Sequence, residues 1–167
     1  LFRPGGRVSF LDFGLVKRFS AGEVTAFADM VRALCIDHDP GRYRQLLERA
    51  RVLQSGSDMT DAEVLDYFGY FYEPVLEDKV TTFTHEYSSQ ALSKVFSRTG
   101  AVSKFGNVPP AFVIIQRINM GLFSVLASLH ATANWRRIAE ELWPWIDAAP
   151  STALGEEEAA WLRTRAA

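Results

Sequence analysis

From residue 20 onward, apolar residues recur at every third or fourth position, and most of these runs open on a residue suited to cap a helix. Short amphipathic helices must bury one stripe each against their neighbours, so the pattern predicts a mainly helical lobe. Ser20 and Glu23 fit a capping box, with Val24, Phe27, Ala28, Val31 and Leu34 following on one face. Asp39-Pro40 supplies an N-cap and a first-turn proline ahead of Tyr43, Leu46, Leu47, Ala50 and Leu53. Thr60 and Glu63 offer a second capping box before Val64, Phe68, Phe71, Tyr72 and Val75. Pro74 is expected to kink or shorten that helix.

The second half continues in the same way. Residues 85–97 read as a weaker helix with Leu92, Val95 and Phe96 on one face, and Gly100 to Val108 as the longest loop. Pro109-Pro110 opens the most apolar helix, along which Ile115, Ile118, Leu122, Val125, Leu126 and Leu129 align. Its apolar stretch is interrupted by Gln116, Arg117, Asn119 and His130, and an arginine in mid-bilayer is expensive. The expectation is therefore a buried helix without a transmembrane segment, with Arg117 a structural buried charge paired to a carboxylate. Asn134 is expected to cap a helix from Trp135 to about Ile146, with Pro144 able to end it early. Ala149 to Thr152 reads as a linker, and Glu156 to Arg163 as a terminal helix whose acidic start suits the helix dipole. Ahead of all this, residues 1–12 read as a β-hairpin around Pro4-Gly5-Gly6. The expected organisation is one partial domain: a hairpin segment over 1–19, a helical lobe over 20–148 with six to seven helices in all, and a linker with terminal helix over 149–167.

Composition excludes several classes. At 48% hydrophobic and 23% charged, the 167 residues can bury a core and are not those of a disordered chain. A single cysteine excludes an internal disulfide framework, and Cys35, beside an apolar stripe, reads as core packing. A net charge of −2 gives no general attraction to nucleic acid. The N-terminus shows no signal-peptide pattern.

The segment that carries chemistry is Val8-Ser9-Phe10-Leu11-Asp12-Phe13-Gly14-Leu15-Val16. A carboxylate at the end of an apolar strand is costly unless it is paired or holds a metal. Phe13 can pack into a core, and Gly14 frees the backbone to turn. On pattern alone two readings stand: an Asp that caps a turn, or the Asp-Phe-Gly element with which kinases hold Mg²⁺ on ATP phosphates.

The run Phe2-Arg3-Pro4-Gly5-Gly6-Arg7-Val8-Ser9-Phe10-Leu11-Asp12-Phe13-Gly14-Leu15-Val16-Lys17-Arg18-Phe19 resembles the ABC1/UbiB (AarF) family of atypical kinases. So does Val108 to Leu122, and Ala133-Asn134-Trp135-Arg136-Arg137-Ile138-Ala139 resembles an actinobacterial-type branch. The resemblance implies a helical C-lobe portion of a protein-kinase-like fold, with Asp12 as Mg²⁺ ligand, Phe13 its packing partner and Gly14 a hinge. It implies ATP and Mg²⁺ as cofactors, a link to isoprenoid-quinone or lipid metabolism, and a cytoplasmic location peripheral to the membrane. It also implies parts not found here. The family's nucleotide-covering loop, its ATP-positioning Lys with partner Glu, and its catalytic-loop Asp and Asn precede this motif, whereas eleven residues precede Asp12. The chain is therefore expected to hold no catalytic residue of its own, to bind nucleotide weakly or not at all, and to be inactive without a partner N-terminal lobe. Five residues separate Gly14 from Ser20 and no Ala-Pro-Glu follows, so the platform for a peptide substrate is absent.

Other candidates carry less. Asp37-His38-Asp39 could suggest a metal site, but a helix end followed by an N-cap accounts for it. His85 and His130 lack ligand-type spacing. Arg3, Arg7, Lys17 and Arg18 form a basic cluster: either a solvated hairpin edge, or candidate phosphate or anion contacts centred on Lys17 and Arg18. Phe68, Tyr70, Phe71 and Tyr72 are too dense for one core face and suggest a docking surface, and self-association is a further expectation. Two functional readings follow: part of an ATP-dependent enzyme, or a non-catalytic helical binding module that contacts a protein or an isoprenoid or lipid ligand.

Overall fold

The computed structural model of the chain describes residue 1 and residues 3–11, 16–96 and 109–166. Among these, seven helices of eight residues or more dominate, with one small two-stranded sheet. The expected loop from Gly100 to Val108 lies outside the described residues.

Local signals set most helix starts. Helix α1 (Ala21–Val31) begins at Ser20, whose hydroxyl accepts from the Glu23 N–H while the Glu23 carboxylate accepts from the Ser20 N–H, completing the capping box. It runs on into a π-turn at Arg32–Ile36, closed by the Asp37 N–H on the Arg32 carbonyl at 2.9 Å. Helix α2 (Pro40–Arg49) starts with Pro40 after the Asp39 cap. Helix α3 (Asp61–Phe68) starts at the Thr60–Glu63 box. The path then tightens into a 3-10 turn at Gly69–Tyr72 and resumes as the short α4 (Glu73–Leu76), which puts Pro74 in a first turn where no N–H is needed.

Strand β1 (Thr81–Thr82) pairs antiparallel with β2 (Thr132–Ala133), Thr81 opposite Ala133. Between them run α5 (His85–Phe96) and α6 (Pro110–Ser128), so the sheet straps one end of that helix pair. Helix α7 (Trp135–Leu142) starts at Asn134, whose side chain accepts from the Arg137 N–H, and ends before Pro144. Helix α8 (Ala153–Ala166) is longer than the expected Glu156 to Arg163.

Two clusters form the core. Met30, Cys35, Tyr43, Leu47, Leu53 and Val64 centre the first, which Phe112 of α6 also enters. Phe71, Phe83, Ala91, Phe123 and Ala127 form the second between α5, α6 and the sheet. Helix α6 thus bridges both, through Phe112 near its start and Phe123 and Ala127 near its end.

That geometry corrects the reading of α6 as a wholly buried helix. Phe112 and Phe123 lie on one line, because eleven residues make about three turns. Arg117, five residues after Phe112, falls about 140° away from it, outside the core. Arg117 is exposed and makes no ion pair among the described residues, so it is not a buried structural charge. Ile118, Leu122, Val125 and Leu129 are also about half exposed, at 48–54%. By length and composition α6 is the one described helix apolar enough to cross a membrane. Two smaller corrections are of the same kind. Val24 of α1 and Leu92 of α5 are exposed, while Met30, Ala33 and Ala91 face the core.

The N-terminal segment pairs back on itself. Leu1 and Ser9 exchange two hydrogen bonds, at 2.8 and 2.9 Å, and the Arg3 N–H donates to the Arg7 carbonyl. The turn between is a 3-10 turn over Pro4–Gly6, with Gly5 at φ 78°. This is hairpin pairing without extended strands.

Candidate functional site

Asp12, Phe13 and Gly14 lie outside the described residues, but the segments on either side of them are positioned by identifiable contacts. On one side stands the Leu1–Ser9 pairing. On the other, the Phe19 ring packs edge-on against Phe27 of α1 at 5.6 Å, and Phe27 packs against Phe112 of α6 at 5.3 Å. This row of rings pins the stretch after the motif to two helices of the lobe. The flanks themselves present apolar surface: Phe10, Leu11 and Val16 are 71–76% exposed.

The basic residues nearby divide into two kinds. Lys17 sits 3.7 Å from Glu23 and lies over the Phe19 ring, so its charge is answered within the fold. Hydrogen bonds from Ser20 to the Glu23 carboxylate, with a contribution from Lys17, hold that carboxyl below its usual range. Arg3, Arg7 and Arg18 are exposed and make no ion pair among the described residues. Arg18, more than Lys17, is therefore available to an anion.

An open cavity of about 440 Å³ lies elsewhere, between the end of α1, α3 and α4. Leu34, Leu65 and Leu76 give it apolar walls, and Asp66, Glu73 and Glu77 give it an acidic rim. Lys94 neutralises Asp66 at 2.9 Å and lies over the Tyr70 ring. An acidic rim repels phosphate, so this cavity is not suited to a nucleotide.

Titratable groups in the core are structural. Burial pushes the Cys35 thiol up to about 12, against a smaller opposing effect of Arg136. Burial likewise pushes the phenols of Tyr43, Tyr72 and Tyr87 far above their ordinary value. None is a nucleophile or base at neutral pH. Asp37, His38 and Asp39 do not converge: Asp37 pairs with Arg42 at 2.8 Å, and Asp39 caps α2. Among the described residues, no group of three His, Cys, Asp or Glu side chains gathers as a metal site.

The aromatic run near Pro74 is mostly consumed by packing. Phe68 and Phe71 are buried in the two clusters. Tyr70 and Tyr87 stack at 5.0 Å, each hydroxyl donating to the other's backbone carbonyl. Tyr70 and Tyr72 stay half-buried, and Tyr70 lines the open cavity.

Two groupings escape sequence reasoning. Arg136 gathers three separate segments: it donates to the carbonyls of Cys35 and Val75 at 2.6 and 3.1 Å, pairs with Glu140 and lies over Trp143. Its neighbours brace the same region, with Arg137 and Asn134 on Asp78 and the Trp135 indole N–H on the Thr81 carbonyl. The Asn134 to Arg137 segment is thus structural in this chain. The second grouping is His85 with His130, whose rings meet at 5.6 Å; forty-five residues apart, they share no local signal.

No family model matches this chain, and neither a curated protein nor a solved structure matches it.

Proposed function

We propose that this chain is the helical C-terminal part of an ATP- and Mg²⁺-dependent atypical kinase or ATPase of the ABC1/UbiB type, linked to isoprenoid-quinone or lipid metabolism. The carrying observation is the order of parts: apolar residues Val8 to Leu11, then Asp12-Phe13-Gly14, then a segment tied through Phe19 and Phe27 to a helical lobe. In this reading Asp12 is the Mg²⁺ ligand, Phe13 its packing partner and Gly14 the hinge. Mg²⁺ takes one or two protein carboxylates and completes its shell with water and phosphate oxygens, so a single Asp suits it. Bound there, the ion would neutralise charge on ATP phosphates. Arg18, exposed and without an ion pair among the described residues, is the proposed anion contact next to the motif.

The kinase-like C-lobe placement belongs to the same proposal, and the exposed faces support it. The apolar row on α6, with Phe10, Leu11 and Val16, is surface of the kind that a nucleotide-binding lobe would cover. Phosphoryl transfer is mostly positioning and electrostatics, so residues 1–167 alone should turn over no ATP.

The test is Mg-ATP binding by calorimetry to wild type and Asp12→Ala, in this chain and in any longer form of the protein. Weak binding here and strong binding in the longer form, both lost with Asp12→Ala, are expected. A longer form that binds no Mg-ATP overturns the enzyme reading. The second reading, a non-catalytic helical module with a protein or lipid partner, is favoured by the same α6 row.

A further inference from the structure

We propose that His85 and His130 form a two-imidazole site for a borderline divalent transition-metal ion of the Zn²⁺ class, separate from any Mg²⁺ held by Asp12. Both side chains are exposed, and their ring centroids are 5.6 Å apart. A zinc–imidazole bond is about 2.0–2.1 Å, which puts the ion about 3.2 Å from each ring centre and two rings on one tetrahedral ion about 5 Å apart. The rings meet edge to face, at an interplanar angle of 87°, so the exposed imidazoles must also turn about their side-chain bonds to aim a nitrogen from each at one ion.

The backbones are better fixed than the rings. His85 is the first residue of α5, and Thr84 before it accepts the Tyr87 N–H at 3.1 Å. His130 follows the C-cap of α6 with φ 47°, in the left-handed conformation. There the His130 N–H donates to the Ala127 carbonyl and the Ala131 N–H to the Leu126 carbonyl, both at 3.0 Å, which makes a Schellman turn. The Ala131 carbonyl accepts the Phe83 N–H at 2.9 Å, and the Thr82 and Thr132 hydroxyls meet at 2.7 Å. Two of these contacts, Phe83 to Ala131 and Thr82 to Thr132, therefore hold the end of α6 against the start of α5.

The position of His130 is the second observation. A left-handed residue ending a helix is ordinarily glycine, because a Cβ there is strained. His38 and Arg51 share this conformation, which histidine takes more readily than most residues; at His130 it sets the imidazole beside His85. With two protein ligands, the remaining positions on the ion belong to water, so the site is open and exchangeable. Imidazole suits Zn²⁺, Cu²⁺ and Ni²⁺ and is a poor ligand for Mg²⁺.

The chain has three histidines, which makes the experiment clean. Zn²⁺ is titrated into the whole chain, followed by calorimetry and by imidazole ¹⁵N signals in NMR. One equivalent should bind, shifting the His85 and His130 signals together while His38 stays put. His130→Gly suits the turn and His85→Ala suits an exposed helix start, so both variants should fold. Each should weaken Zn²⁺ binding by about tenfold or more. The proposal is overturned if affinity survives His130→Gly, if only one of the two signals moves, or if neither moves at about 1 mM Zn²⁺. Mg-ATP binding is a separate readout, so failure here leaves the kinase-like reading to its own test.

Discussion

The Arg136 guanidinium donates to the Cys35 carbonyl at 2.6 Å across 101 residues of chain. Cys35 lies in the π-turn that ends α1, where backbone carbonyls have no intrahelical donor. A cation from α7 answers one of them and reaches Val75 at the end of α4 as well. One side chain therefore closes two helix ends onto a third helix.

Arg136→Ala should lower stability by about 2–3 kcal/mol, since it leaves these carbonyls unanswered. Arg136→Lys should recover little, because an ammonium cannot present the forked donors of a guanidinium. Urea denaturation of the three proteins checks both outcomes.

Alkali should unfold the protein earlier than exposed groups alone would allow. In the native state Cys35 is pushed from 9.0 up to about 12, and Tyr43, Tyr72 and Tyr87 are raised too. The unfolded chain releases these protons first and binds fewer of them, so stability is intact below pH 9 and falls as pH rises. Melting temperature should drop steadily above that point. Native Cys35 should also resist a thiol reagent at neutral pH and react once the protein is unfolded.

Glu141 latches α8 onto α7. Its carboxylate accepts from the Ser151 N–H and from the Thr152 N–H and hydroxyl. A Cβ on Gly155 would fall 2.6 Å from the same carboxylate. Gly155→Ala should therefore release α8 while the rest of the fold holds, read as faster amide exchange confined to residues 153–166. Desolvation opposes ionisation of Glu141, but the hydrogen bonds from Ser151 and Thr152 outweigh it and keep its carboxyl low. The latch should accordingly hold above the ordinary carboxyl value of 4.5 and loosen as pH falls through the lower native value.

Removing a cap should cost a predictable amount. Thr60→Ala and Ser20→Ala should each lower stability by about 1 kcal/mol in denaturant titrations.

The exposed row on α6 should drive self-association of the free chain. Ile118→Glu with Leu122→Glu should change stability by only about 0.5 kcal/mol per site, since neither residue is in the core. The pair should nevertheless abolish concentration-dependent association in light scattering. A wild type that stays monomeric at high concentration would overturn this expectation.

Much of this architecture could be read before folding was considered. Ser20 with Glu23, Asp39 with Pro40, Thr60 with Glu63, and Asn134 each act within four residues, so their role is a property of short sequence. Pro74 and Pro144 limit helices for the same local reason. The two-strand strap and the His85–His130 pair were not legible. Each joins residues 45 or more apart, and no spacing rule connects them.

What the sequence by itself determined is therefore the helical character of the lobe, most helix starts, and the Asp12-Phe13-Gly14 motif on which the functional proposal rests. Only the tertiary structure decided which face of each helix is core. Ile118, Leu122, Val125 and Leu129 look like a buried stripe in isolation, yet Phe112, Phe123 and Ala127 are the residues that reach the two clusters. Periodicity reports that a helix has an apolar side, and α6 has two; the neighbours choose between them. The same choice turned Arg117 outward and drew Arg136 in, because a charge is retained in the interior only where backbone carbonyls and a carboxylate wait to meet it.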